Sequence, residues 1–152
     1  MATQNFQIVR IATDETYALR TAVLRAGTPT SDPKYAEDSK QGTVHLGIFG
    51  ENKILIATST WVINPWQHDP STFAIQLRGM AVATSHQKSG LGKKLLDAGV
   101  SHAKTLHAKY VWAKARDSAL PFYLRNNFDS VGDGFTEGVT QMPHHLVLLK
   151  LS

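Results

Sequence analysis

The chain has 152 residues, 42% of them hydrophobic and 18% charged, a globular balance that excludes disordered and fibrous classes and allows a core without metal or disulfide support. It contains no cysteine, which excludes a disulfide framework, a thiolate zinc site and a cysteine nucleophile. The net charge of +4 and pI near 9.4 suit an anionic partner, but the basic residues are scattered and form no stripe interleaved with aromatics, so nucleic acid is not expected.

In chain order, Gln7 to Ile11 alternates weakly and reads as a short strand. Thr13 or Asp14 then caps a helix to about Arg25, with Tyr17, Val23 and Leu24 as its expected core side. Gly27 to Gly42 holds two prolines and several Asp, Ser and Thr, a long loop with a short helix expected at Tyr35 to Asp38; loops of this length are more often functional than idle. Val44 to Phe49 and Ile54 to Ile63 are β-branched runs separated by Gly50-Glu51-Asn52-Lys53, a hairpin signature, and another strand runs from about Phe73 to Val82. From Leu91, apolar residues recur at helical spacing through Leu95, Ala98, Gly99, His102, Ala103 and Leu106, the strongest helix pattern in the chain. Tyr110 to Ala115 is a strand, Asp117 or Ser118 caps a short helix to Asn126, and Phe128 to Val131 and Leu146 to Leu151 read as two last strands joined by a glycine-rich excursion. There is no internal repeat. Residues 1–152 therefore read as one mixed α+β domain, a central sheet with about four helices. No signal-type core lies in Met1 to Arg10 and no run approaches the roughly 18 apolar residues of a membrane helix, so the chain is expected to be cytoplasmic and free of membrane.

Between the strand ending near Val82 and the strongest helix lies Gln87-Lys88-Ser89-Gly90-Leu91-Gly92. Glycines here allow close backbone approach, and the unpaired N–H groups of a helix start suit an anion, with Lys88, Lys93 and Lys94 nearby; a pyrophosphate is the natural guest. The spacing matches neither a P-loop nor a dinucleotide fingerprint. Gln76-Leu77-Arg78-Gly79-Met80-Ala81-Val82, this loop, Trp112-Ala113-Lys114-Ala115-Arg116, Phe122-Tyr123 and Phe128, in that order, resemble the acetyl-CoA core of the GNAT superfamily of N-acyltransferases. Leu19-Arg20, Val23-Leu24-Arg25, His45-Leu46-Gly47, Gly132-Asp133, Phe135 and Pro143-His144 are similar to a group of small bacterial members of poorly defined substrate.

The resemblance implies a GNAT fold: a mostly antiparallel mixed sheet of six to seven strands with a splayed strand pair at the cofactor site. It implies acetyl transfer from acetyl-CoA to a primary amine, small-molecule or peptide, by direct attack in a ternary complex and without a metal. It places the pantetheine arm along Met80, Ala81 and Val82, the pyrophosphate on the amides from Lys88 to Lys93 through Ser89, Gly90, Leu91 and Gly92, with Gln87 in the same loop and Arg116 near the cofactor or holding a phosphate or a substrate carboxylate. Tyr123 matches the tyrosine that protonates the leaving thiolate. The strand position where some relatives carry a glutamate base is Gln76, which cannot deprotonate an amine, so His45 and His144 are the candidate bases, as histidine titrates near neutral pH. Arg25, Asp38, Arg78 and Glu137 are candidate acceptor contacts, since the loops that carry or border them should flank the acceptor end. The missing glutamate also leaves open a non-catalytic acyl-CoA-binding module, and a homodimer is left open as the assembly. Trp61, Trp66 and Trp112 are expected to pack rather than stack on a cofactor.

Overall fold

The computed structural model describes residues 6–151; residues 1–5, half of the stretch read for a signal sequence, lie outside it. Seven strands form one mixed sheet in the order β1-β2-β3-β4-β5-β7-β6. They are β1 (Ile8–Ile11), β2 (Val44–Phe49), β3 (Leu55–Ile63), β4 (Ala74–Val82), β5 (Tyr110–Arg116), β6 (Asp129–Thr136) and β7 (Pro143–Lys150). All neighbours run antiparallel except β4 and β5. The helices are α1 (Tyr17–Leu19), α2 (Leu91–Thr105) and α3 (Leu120–Arg125), three where the sequence suggested about four. Among the described residues no helix is long and apolar enough to cross a membrane.

The alternation of β3 sorts the layers. Trp61 faces α2, so close that a Cβ at Gly99 would lie 1.7 Å from its ring; only glycine lets helix and sheet meet there. Thr60, its neighbour in β3, points to the opposite face and meets Arg20. The main core therefore joins α2, through Leu91, Leu95, Leu96 and Ala103, to Ile48, Ala57, Trp61, Ile75, Val111 and Val147, and a smaller cluster of Trp66, Ala74, Tyr110 and Trp112 closes one end of the sheet. All three tryptophans are buried, and the indole N–H groups of Trp61 and Trp112 donate to Ser59 Oγ and the Asn64 carbonyl.

Three segments depart from the sequence reading. Residues 13–24 do not form one regular helix: a 3-10 turn at Thr13–Thr16 leads into α1 and then a π-helical turn at Arg20–Leu24. The residues it buries are Thr16, Leu19 and Arg20, not Tyr17, Val23 and Leu24, because the winding changes twice and the inward cation is paired across the fold. The expected helix at Tyr35 to Asp38 is a 3-10 turn at Ala36–Ser39. The glycine-rich excursion after Val131 is mostly strand. β6 carries two extra residues opposite β7 between Val131 and Phe135, around Gly132 at φ +76°, and this bulge hides the period-two signal.

Candidate active site

Two features of β4 build the site. Its register against β3 gains one residue between Arg78 and Ala81, a bulge around Gly79 at φ +59°. Beyond Gln76 its pairing with β5 stops: only Ala74, Ile75 and Gln76 match Tyr110, Val111 and Trp112, and the two strands then part. The Ala83 N–H donates to Ile56 in β3, so by alternation the backbone groups of Met80 and Val82 turn toward the gap left by β5. The Val82 carbonyl there accepts a hydrogen bond from Gln87 Nε2 at 3.0 Å, tying the glycine loop to the strand end.

The loop itself is shaped by Lys88 and Gly90, both in the left-handed region at φ +64° and +86°. Gly90 is the N-cap of the 15-residue α2 and supplies no side-chain cap, and a Cβ there would meet nothing within 4 Å. The first-turn amides of α2 thus face open space beside the splay. Gly92 differs: its Cβ position lies 3.6 Å from the Phe122 ring and 3.9 Å from Met80 Sδ, so it sets the packing of α3 on α2. Ser89 Oγ donates to the His86 carbonyl. Lys93 pairs with Asp97 at 3.1 Å in solvent, and Lys94 donates to the Phe6 carbonyl, so neither ammonium is held at the loop.

A cleft of about 470 Å3 begins at Met80 on β4 and opens on the sheet face opposite α2, lined also by Gln76, Tyr123, His144, Arg116 and Ala115. Leu24, Arg25, Tyr35, Glu37, Arg78 and Glu137 also line it. Tyr123 is buried between Phe122 and Phe128, with ring centroids at 5.3 and 5.2 Å. Burial pushes its phenol pKa well up, so it stays protonated. His144 Nδ1 lies 2.9 Å from the Met142 carbonyl, which can only accept, so Nδ1 carries a proton and the neutral ring has its lone pair on Nε2. The Phe135 ring covers it at 6.0 Å. Gln76 is buried and its Oε1 accepts from Asn64 Nδ2 at 2.9 Å.

The remaining candidates divide. Arg25, Arg78, Arg116 and Glu137 line the cleft. Arg78 is ion-paired with Glu37, and Arg116 donates to the Leu24 carbonyl. Glu137 is committed to its own turn: burial alone would raise its carboxyl, but the amides of Thr140 and Val139, the Thr140 hydroxyl and the nearby His144 bring it down to about 2.

His45 and Asp38 do not reach the cleft. They belong to a buried network under it, in which Arg20 is fully buried, donates to both Asp38 oxygens at 2.9 Å and also reaches Thr60 Oγ1 and the Pro33 carbonyl. Both ring nitrogens of His45 are taken, by Thr13 and Thr60 hydroxyls at 2.9 and 2.8 Å. Burial, then the Arg20 charge, hold His45 below its ordinary pKa against the pull of Asp38, so the 4.0 Å approach of Asp38 is no ion pair at neutral pH. His45 is therefore a structural histidine rather than a base in contact with an acceptor, and Asp38 is spent on Arg20.

Tyr35, Glu37 and Arg20 were missed by the sequence reading. Three guanidiniums lie over the Tyr35 ring, Arg20 at 4.1 Å, Arg78 at 4.3 Å and Arg25 at 5.5 Å, and a Cβ at Gly79 would come within 3.0 Å of it. An aromatic in a long polar loop and a glycine within a strand were the available signals.

The family model of the acetyltransferase (GNAT) family matches residues 8–128. The chain belongs to the GNAT acetyltransferase family. It is 25% identical over 145 residues to an uncharacterised N-acetyltransferase, YitI, of Bacillus subtilis, covering 95% of each. In fold it is similar to an acyl-CoA N-acyltransferase from Pseudomonas aeruginosa, with TM-score 0.76 and 19% identity over 95% of this chain and 99% of that one. It is also similar to FeeM, an N-acyl amino acid synthase from uncultured soil microbes, with TM-score 0.80 and 13% identity over 95% and 94%. The seven-stranded mixed sheet and its splayed pair are thus a GNAT fold, and N-acyl transfer is the family's activity.

Breaking the buried pair tests its weight in this GNAT domain. Asp38→Asn leaves the Arg20 charge without its counterion and is expected to cost about 3–5 kcal/mol in urea unfolding. Burial acts to raise the Asp38 carboxyl, but Arg20, the Tyr35 amide and the charges of Arg20 and His45 hold it below the ordinary value. Its folded pKa is depressed, so its contribution is present above the unfolded value of about 3.9 and lost as pH falls through the folded one. Unfolding curves from pH 3 to 7 should show this acid loss in the parent and a smaller one in Asp38→Asn.

Proposed function

We propose that the protein transfers an acetyl group from acetyl-CoA to a primary amine by direct attack in a ternary complex. The observation that carries the reading is the splay of β4 from β5, which leaves an unpaired strand edge beside the open start of α2 and, from Met80 inward, a cleft lined by the protonated Tyr123 and by His144. The α2 amides and the missing Cβ at Gly90 fit a pyrophosphate, and the edge of Met80 and Val82 fits the amides of a pantetheine arm. Acetyl-CoA would supply a thioester whose carbonyl carbon is open to a neutral amine.

The residues then take distinct roles. His144 Nε2 accepts the ammonium proton, directly or through water, and so frees the attacking lone pair. A backbone N–H at the β4 bulge, Met80 to Val82, receives the charge that develops on the carbonyl oxygen. Tyr123, which lines the cleft, donates its proton to the departing sulfur. A phenol is a weaker acid than a thiol and burial weakens this one further, so its proton moves only as the C–S bond breaks and charge builds on sulfur; the proton the nitrogen sheds as the amide forms restores the phenol.

Gly90→Glu should abolish acetyl-CoA binding in calorimetry while the fold survives, since the new side chain enters open space and costs about 1–2 kcal/mol of left-handed strain. The carboxylate would repel the pyrophosphate, and unchanged affinity would remove the cofactor assignment. Tyr123→Phe should keep acetyl-CoA affinity and lower kcat by roughly 10²–10⁴. Retention of more than about half of kcat in an assay limited by chemistry would make Tyr123 a packing residue.

A further inference from the structure

We propose that the acceptor is an α-amino acid, its carboxylate held by Arg25 and Arg116 beside His144; this rests on the acyl-transfer reading above. Arg25 ends the π-helical turn and Arg116 ends β5, and both line the cleft. Each guanidinium is fixed by a backbone carbonyl, Arg25 Nε to Asp32 at 2.8 Å and Arg116 Nη2 to Leu24, and among the described residues neither makes an ion pair with a carboxylate. The other two arginines at this place are ion-paired, Arg20 with Asp38 and Arg78 with Glu37. Arg25 and Arg116 therefore present N–H donors in fixed forks, the geometry that takes a carboxylate through two parallel bonds.

The charge balance selects the anion. Glu137 is the acid near Arg116, and its oxygens already accept from Val139 and Thr140, so it offsets part of the positive field without bonding the arginines. Asp32, Lys34 and Lys114 also line the cleft, all well exposed, where solvent screens them. Two guanidiniums against one committed carboxylate leave about one positive charge to be matched, which suits a monoanion better than a phosphate dianion. A polyamine would be repelled, and a neutral amine would leave both forks facing nothing.

Register roots the two functional side chains side by side. Arg116 and His144 are direct partners across β5 and β7, so their Cβ atoms stand about 4.5–5.5 Å apart on one face. In an α-amino acid a single carbon separates ammonium and carboxylate. With the carboxylate on the Arg116 fork, the amine lies beside Nε2 of His144, the atom that takes its proton. An amine several carbons from the acid would overshoot it.

The test is steady-state acetyl-CoA turnover with the L-α-amino acids, each beside its own amide and its decarboxylated amine, with acetyl-CoA binding followed by calorimetry. At least one amino acid should be used with kcat/KM roughly 10- to 100-fold above its amide, the scale of lost hydrogen bonds to a charged group. Arg25→Gln and Arg116→Gln should raise KM for that amino acid about tenfold or more and narrow the gap to the amide. Amides or simple amines used as well as the acids would overturn the proposal and leave acyl transfer standing, as would a protein that acetylates amines but no amino acid. A protein that binds no acetyl-CoA would instead remove the acyl-transfer reading beneath it.

Discussion

The parting of β4 from β5 after three paired residues is the constraint on which the site depends. A paired β4 would spend its backbone donors and acceptors on its neighbour and would leave no entry between the strands. The separation is maintained from both sides. On the β4 side, the Gly79 bulge re-aims the strand end, and on the β5 side, seven residues pair with β7 along their whole length, which draws β5 away with its partner. The loop and α2 start then sit at the mouth of the gap, held by Gln87 on Val82. The strand edge, Tyr123 and His144 are thereby brought onto one cleft, with the glycine loop tied to the end of the same strand.

The other end of the cleft rests on a second constraint, the burial of Arg20. A cation without exposure is costly unless fully paired, and here Asp38, Thr60 and Pro33 take three of its directions, while its Nε has no partner. The pairing pins the 30s loop onto β3 and lays Tyr35 against Gly79. That contact joins the two constraints, because the glycine that makes the bulge is also the position where the loop approaches β4. Arg25, ahead of the pinned segment, and Glu37, within it, are set at the cleft as a result.

The strands β2 to β5, the hairpin after Gly50 and helix α2 were legible because period, β-branching and turn residues agreed locally. The cleft positions of Tyr123, His144, Arg25, Arg78 and Arg116 followed from order along the chain and from the family resemblance. What was not legible depends on partners distant in sequence. Arg20 and Asp38 are 18 residues apart and Arg20 and Thr60 are 40 apart, and nothing local marks them as one network. His45 drew attention as a histidine near neutral titration, but its surroundings, two hydroxyls and a buried guanidinium, decide its role. The winding of residues 13–24 and the bulge of β6 escaped for a related reason, since both break the regular period that pattern reading uses.

Backbone amide chemical shifts recorded while acetyl-CoA is added test the account most directly. The account predicts that the resonances of Met80, Val82 and the amides from Lys88 to Lys93 move together and saturate, while those of β1 and the outer part of β6 stay in place. Saturable shifts confined to the groove between α2 and the end of β7, around Val100, Lys104 and Leu149, or no shifts at all, would contradict it.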